Sequence, residues 1–133
     1  MLLHRGLERD DLDADAIKCP IREMLARTGS RWVLDVMTIL DQGPHHFADL
    51  DRRIPKISRR MLTLTLRTLE RDGLIARHAE GRAGSMVYYE MTELGYGLAR
   101  HLHALTEWSR EHRDAIYAAR ATYDAISHPS MAR

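Results

Sequence analysis

Apolar residues recur every three to four positions along most of this chain, interrupted by one β-rich stretch near residue 90. The sharpest helical pattern runs from Ile57 to Gly73, ISRRMLTLTLRTLERDG. On a helical wheel Met61, Leu62, Leu66 and Leu69 fall on one side, and Arg60, Thr63, Arg67 and Arg71 on the other. Ser58 can cap the start, because its hydroxyl accepts from backbone N–H groups that have no intrahelical partner. Gly73 can end the helix, since a left-handed terminal residue costs glycine nothing.

Before this stretch the pattern predicts three helices. Pro20 suits a first helical position, with Ile21, Met24 and Leu25 following at helical spacing and Gly29 closing the turn. Ser30 can cap the next, Arg31 to Gln42, whose Trp32, Val33, Val36, Met37, Ile39 and Leu40 cover enough circumference for a central core helix. Gly43-Pro44 stops it. A short helix from Phe47 to Arg53 turns Phe47, Leu50 and Ile54 inward and Asp49, Asp51 and Arg52 outward. Residues 54–57 connect tightly into the arginine-bearing helix, and two short helices so joined make a helix-turn-helix.

After Gly73, residues 74–78 read as a strand, Glu80 to Gly84 as a loop and Met86 to Met91 as the returning antiparallel strand. A basic-tipped hairpin in that position is a wing. Thr92 then caps a helix from Glu93 to about Ala125, with apolar Leu94, Leu98, Leu102, Leu105, Trp108, Ala115, Ile116 and Ala119. At 1.5 Å per residue such a helix reaches about 50 Å, further than this small core needs, so its stripe is expected to pack on a second copy. The fold class is therefore mainly α with a small β-hairpin wing. Residues 1–17 form an acidic arm, 18–92 a winged helix-turn-helix, 93–126 a dimerisation helix and 127–133 a disordered tail.

Charge sharpens this reading. Net charge is only +1, yet residues 52–82 hold nine Lys/Arg against three acidic residues, while residues 1–17 hold two Arg against five. A basic middle on a balanced chain is the footprint of a polyanion partner. Forked guanidinium groups suit guanine edges and a threonine methyl suits thymine, so the arginine face fits a DNA major groove. The same face could instead dock an acidic protein. A single cysteine and the absence of any long apolar run or signal-peptide core fit a cytoplasmic protein outside the membrane. No Ser/His/Asp arrangement or Gly-rich phosphate loop supports an enzyme, and no cofactor is expected. His103, Glu107 and Glu111 share a helix face and His45-His46 are adjacent, but neither has zinc-site spacing, so surface histidines and no metal are expected.

Several blocks carry a resemblance: Cys19-Pro20, Gly29-Ser30-Arg31-Trp32, Gly43-Pro44 with Phe47 and Leu50, and Ile57-Ser58 through Met61-Leu62-Thr63. Leu66-Arg67 through Leu69-Glu70 to Asp72-Gly73-Leu74, and Tyr89 through Met91-Thr92-Glu93-Leu94-Gly95, continue it in register. In these the chain resembles the HxlR-type winged helix-turn-helix regulators, relatives of the MarR group. The resemblance implies a homodimeric, double-stranded-DNA-binding transcription regulator, read here as a repressor at an inverted-repeat operator. The candidate DNA contacts are Ser58, Arg59, Arg60, Thr63, Leu64 and Arg67 on the reading helix, Arg52 and Lys56 before it, and Arg82 at the wing tip. Leu98, Leu105 and Trp108 are the candidate dimerisation residues. The chain departs from the family pattern where Lys56 replaces a common glycine, where Leu64 and Thr65 replace polar positions, and where Gly81 to Gly84 replace wing prolines.

Cys19 falls at a helix N-cap beside Lys18 and Arg22, where the dipole and both cations favour a thiolate. Some members of the family sense electrophiles or oxidants with such a cysteine. A small-molecule or oxidant signal at Cys19 is therefore expected, with ordinary packing of the thiol as the alternative.

Overall fold

The computed structural model describes residues 20–26 and 30–127. Its elements in chain order are α1 (Pro20–Ala26), α2 (Ser30–Leu40), β1 (His45–His46), α3 (Phe47–Arg53), α4 (Arg59–Arg71), β2 (Ile75–Glu80), β3 (Met86–Met91), α5 (Glu93–Glu111) and α6 (Arg113–Ser127). The antiparallel sheet has the order β1-β3-β2. Val36, Met37 and Leu40 of α2, Leu50 of α3 and Leu62, Leu66 and Leu69 of α4 meet Ile75, Tyr89 and Met91 of the sheet in one core. Fully burying a leucine contributes about 1.5–3 kcal/mol, so the three leucines of α4 fix that helix by one side alone.

Both ends of α4 are closed by local chemistry. Ser58 Oγ accepts from the Met61 N–H at 3.0 Å. At the other end Gly73 takes φ +76°, its N–H donates to the Glu70 carbonyl at 3.0 Å, and the Leu74 N–H donates to the Leu69 carbonyl at 3.0 Å. That double bond pattern is a Schellman close, with buried Leu74 and Leu69 as its apolar contact.

The turn at Gly73-Leu74 is also the joint with α5. Thr92 caps α5 by accepting from the Gly95 N–H at 3.1 Å while its hydroxyl donates to the Gly73 carbonyl at 2.6 Å. Its backbone N–H donates to the Leu74 carbonyl at 3.1 Å. Gly95 is buried against that same carbonyl, and a Cβ there would overlap the Leu74 oxygen and come within 2.7 Å of the Met91 side chain.

The structure departs from the sequence reading in four places. His45-His46 form a third strand, because they pair with Tyr89 and Tyr88. Strand β2 starts and ends later than residues 74–78, since the Schellman close holds Leu74 in the turn. Thr65, not Met61, completes the fully buried side of α4; its hydroxyl donates to the Met61 carbonyl at 2.8 Å and so needs no water. The helix beyond Thr92 breaks at His112 (φ −106°, ψ 11°), where backbone N–H and ring Nδ1 both bond the Trp108 carbonyl. The 1–17 arm, Cys19, the Gly29 stop and residues 128–133 lie outside the described residues.

The Gly95 contact is testable by paired substitutions. Gly95→Ala should lose about 2 kcal/mol net, because overpacking against fixed backbone exceeds the ~1 kcal/mol that alanine gains in a helix. Gly97→Ala, with nothing within 4 Å of the added methyl, should gain up to ~1 kcal/mol. Equal midpoints for the two variants in urea unfolding would refute the close-contact account.

Candidate nucleic-acid interface

Because Leu62, Thr65, Leu66 and Leu69 face the core, α4 has only one side left for solvent. Arg59, Arg60, Leu64 and Arg67 are exposed there and Thr63 is half-buried; together these five line one continuous surface. A helix with side chains is about 10–12 Å across, the width of a B-DNA major groove at about 12 Å. Leu64 belongs to this face, 44% exposed, a large apolar group set between arginines. Ser58, whose oxygen is committed to the cap, sits at the exposed N-terminal end.

The cations of this region fall into two groups. Arg59 Nε lies 3.2 Å from Asp51 and Arg52 lies 2.5 Å from Asp49, so both carry internal counter-ions. Arg60, Arg67, Lys56 and Arg82 make no ion pair among the described residues. Exposed pairs are worth about 0–1 kcal/mol, so Arg52 and Arg59 can exchange a carboxylate for a phosphate at little cost. Sequence spacing did not reveal the Arg59–Asp51 pair, which joins two helices.

The turn before α4 carries a backbone constraint. Lys56 has φ +64°, the left-handed region that L residues other than glycine enter at a cost of about 1–2 kcal/mol. Its ammonium is thereby carried on an exposed corner between the two helices. Beside it, Arg53 donates to His45 Nε2 at 2.8 Å while His45 Nδ1 donates to the Gly43 carbonyl at 2.7 Å, which assigns the neutral Nδ1–H tautomer. This chain ties the end of α3 to β1.

The wing is a regular ladder closed by an irregular tip. Six residue pairs join β2 to β3, from Ile75–Met91 to Glu80–Met86. On its outer face Tyr88 stacks on His78 at 4.8 Å and on His46 at 6.0 Å, and His78 Nε2 meets Glu90 at 2.6 Å. Desolvation, then the Glu80 and Glu90 carboxylates, raises the Tyr88 phenol above its ordinary pKa. At the tip Gly81, Ala83 and Gly84 all have positive φ, and Arg82 projects exposed among them.

A second surface is apolar. Leu105 and Trp108 of α5 are 63% and 53% exposed, and neither α1 nor α6 buries a single residue within this chain. Leu25, Tyr117, Tyr123 and Ile126 extend the same character. Leu98 differs from its two fellow candidates: it is half-buried against its own core. The helical spacing of Ile116, Ala119, Tyr123 and Ile126 was there to be read beyond Ala119. His103 is exposed and Glu107 pairs with Arg110 at 2.7 Å; among the described residues no three His, Cys, Asp or Glu gather as a metal-binding group.

Residues 28–117 match the family model described as HxlR-like helix-turn-helix. An uncharacterized HTH-type transcriptional regulator of Methanothermobacter thermautotrophicus is 37% identical over 107 residues, 80% of this chain and 82% of that protein. Among solved structures, ytfH of Salmonella typhimurium is 32% identical with a TM-score of 0.69, covering 81% of this chain and 96% of that one. The redox regulator HypR in its reduced form is 27% identical with a TM-score of 0.65, covering 74% and 98%.

Strain at Lys56 predicts a separable effect on stability. Lys56→Gly should raise stability by about 0.5–1 kcal/mol, the left-handed penalty removed less the larger chain entropy that glycine loses on folding. Destabilisation in urea unfolding would mean that the lysine side chain contributes more than its backbone costs.

Proposed function

The chain belongs to the HxlR-like helix-turn-helix family, and on that premise we propose that it is a transcriptional regulator, a homodimer that represses from an inverted-repeat operator in duplex DNA. The observation that carries this is the exposed face of α4, where Arg60 and Arg67 make no ion pair among the described residues, on a helix fixed by its opposite side. In this reading Arg60, Thr63, Leu64 and Arg67 carry base and phosphate contacts, with Arg67 at the edge of the face beside the wing. Ser58, Arg59, Arg52 and Lys56 hold phosphates beside them, and Arg82 enters the adjacent minor groove, where an arginine responds to groove width. Residues 18–92 are the DNA-binding unit.

Residues 93–126, joined by α1, form the dimer seam, centred on Leu105 and Trp108 with Leu98 supporting them from the core side. The exposed apolar groups on α1, α5 and α6 support this, because a monomer would leave that area in water. A two-fold dimer presents its reading helices to half-sites one DNA turn apart or a multiple of it. Among the described residues no helix is long and apolar enough to cross a membrane, and we place the protein with the DNA in the cytoplasm.

Cys19 lies outside the described residues, immediately before α1. We assign it the signal: oxidation or alkylation of its thiolate next to the seam alters the spacing of the two reading helices and hence operator affinity. Likeness to the redox regulator HypR supports this reading. With no second cysteine in the chain, a disulfide forms only between subunits or with a small thiol.

Duplexes selected by the protein from a random-sequence pool test the reading. Arg60→Ala should cost ~1–3 kcal/mol on the selected site and relax preference at one base position. Wild-type affinity for both Arg60→Ala and Arg67→Ala would move the reading face elsewhere, and failure of the wild type to enrich any duplex would favour an acidic protein as the partner of the basic face. Cys19→Ser should bind the selected site like wild type and lose the response to diamide; a response equal to wild type would return Cys19 to packing.

A further inference from the structure

Between α4 and the wing lies an open cleft of about 440 Å³ that the helix-turn-helix reading leaves without an occupant. Its walls are Thr63, Arg67 and Glu70 on α4 and Arg77, Val87 and Tyr89 on the sheet, with Phe47 at one edge. The register explains the sheet wall: Arg77 pairs across from Tyr89, and Ala79 from Val87, so these side chains share the face turned toward α4. The opposite face carries His78, Tyr88 and Glu90. Arg77 is exposed and makes no ion pair among the described residues, and neither does Arg67 across the cleft.

We propose that this cleft seats the sugar-phosphate backbone of duplex DNA, held between Arg67 on α4 and Arg77 on β2. The proposal rests on the DNA-binding reading given above and adds to it a second cation wall. Continuity identifies the occupant. Thr63 and Arg67 belong both to the outward face of α4 and to the cleft, so whatever the outward face meets continues into it. With α4 in a major groove and the wing tip at the neighbouring minor groove, the element between them is the one backbone strand that separates the two grooves. Charge agrees: among the described residues, two guanidinium groups that make no ion pair face one carboxylate, Glu70. Tyr89, only 8% exposed, and Val87 give the floor an uncharged, rigid character that suits a sugar. Arg77 is thus a phosphate contact: it fixes the angle of the wing against α4 on DNA and carries no base preference.

Salt dependence of binding distinguishes this from a spectator arginine. The full-length protein is titrated with a duplex it selected from a random pool, and with a scrambled duplex, from 50 to 300 mM potassium chloride. Each neutralised phosphate contributes about 0.9 to the slope of log affinity against log salt, which is about eightfold in affinity at 0.1 M for each arginine–phosphate pair removed. Arg77→Gln should show that reduction for each protomer engaged, equally on both duplexes, with an unchanged thermal midpoint. Arg77→Lys should restore the slope, because it keeps the charge. Glu70→Gln should tighten binding by removing the carboxylate nearest the phosphates.

A wild-type slope in Arg77→Gln, or an equal reduction in Arg77→Gln and Arg77→Lys, overturns the cleft assignment while leaving the reading helix intact, provided Arg60→Ala still relaxes specificity. Weaker binding by Glu70→Gln also overturns it. If the wild-type protein selects no duplex at all, the DNA reading itself fails and takes the cleft with it.

Discussion

Everything this protein offers a partner is oriented by one close approach, the seating of Gly95 against the carbonyl of Leu74. That carbonyl lies in the turn that ends α4 and starts β2, and Gly95 lies in the first turn of α5. No side chain fits between them. The Thr92 hydroxyl bridges the same two elements, donating to Gly73 and accepting from Gly95. Side-chain packing alone tolerates sliding by a rotamer change, whereas a backbone-to-backbone contact with two hydrogen bonds fixes distance and direction together. The end of α4, the root of the wing and the start of α5 are thereby one rigid corner.

The consequence runs outward from that corner. The arginine face of α4 is set relative to the wing, which defines the cleft between them, and relative to α5, whose exposed Leu105 and Trp108 lie on the far arm. In a dimer built on α5, the separation of two reading helices would then be a property of the corner and the seam, not of the reading helix. In the proposed dimer, a signal acting near the seam would have leverage on DNA affinity for that reason. Lys56 and the wing tip show the complementary tendency: left-handed backbone at non-glycine Lys56 and Ala83 is kept where the exposed cations Lys56 and Arg82 stand. Local strain at such positions is retained when the rest of the fold over-determines them.

How much of this was visible in the sequence depends on how local the cause is. The two caps of α4, the apolar stripe of α2 and the hairpin strand Met86 to Met91 were legible, because each follows from residues within a turn or two of one another. Thr65 was left out of the buried stripe because a hydroxyl looks polar on a wheel, yet one that donates to the carbonyl four residues back is satisfied in the core. Strand β1 escaped because two residues carry no periodicity; only pairing with Tyr88 and Tyr89 makes them a strand. The break at His112 leaves the apolar pattern undisturbed; there the ring bonds the Trp108 carbonyl alongside the helical N–H. Of the candidate site, the exposed face of α4 was readable, while the counter-ions of Arg59 and Arg52 and the wall supplied by Arg77 depend on where other elements come to lie.

As proposed above, a rigid corner would deliver two identical reading helices to DNA at a fixed separation. Its most direct test is the symmetry of the sequences that the full-length protein enriches from a random duplex pool. The expected result is an inverted repeat whose half-site centres lie about 10–10.5 base pairs apart, or a multiple of that. Enrichment of a single asymmetric half-site, with one protein chain bound per duplex, would contradict it.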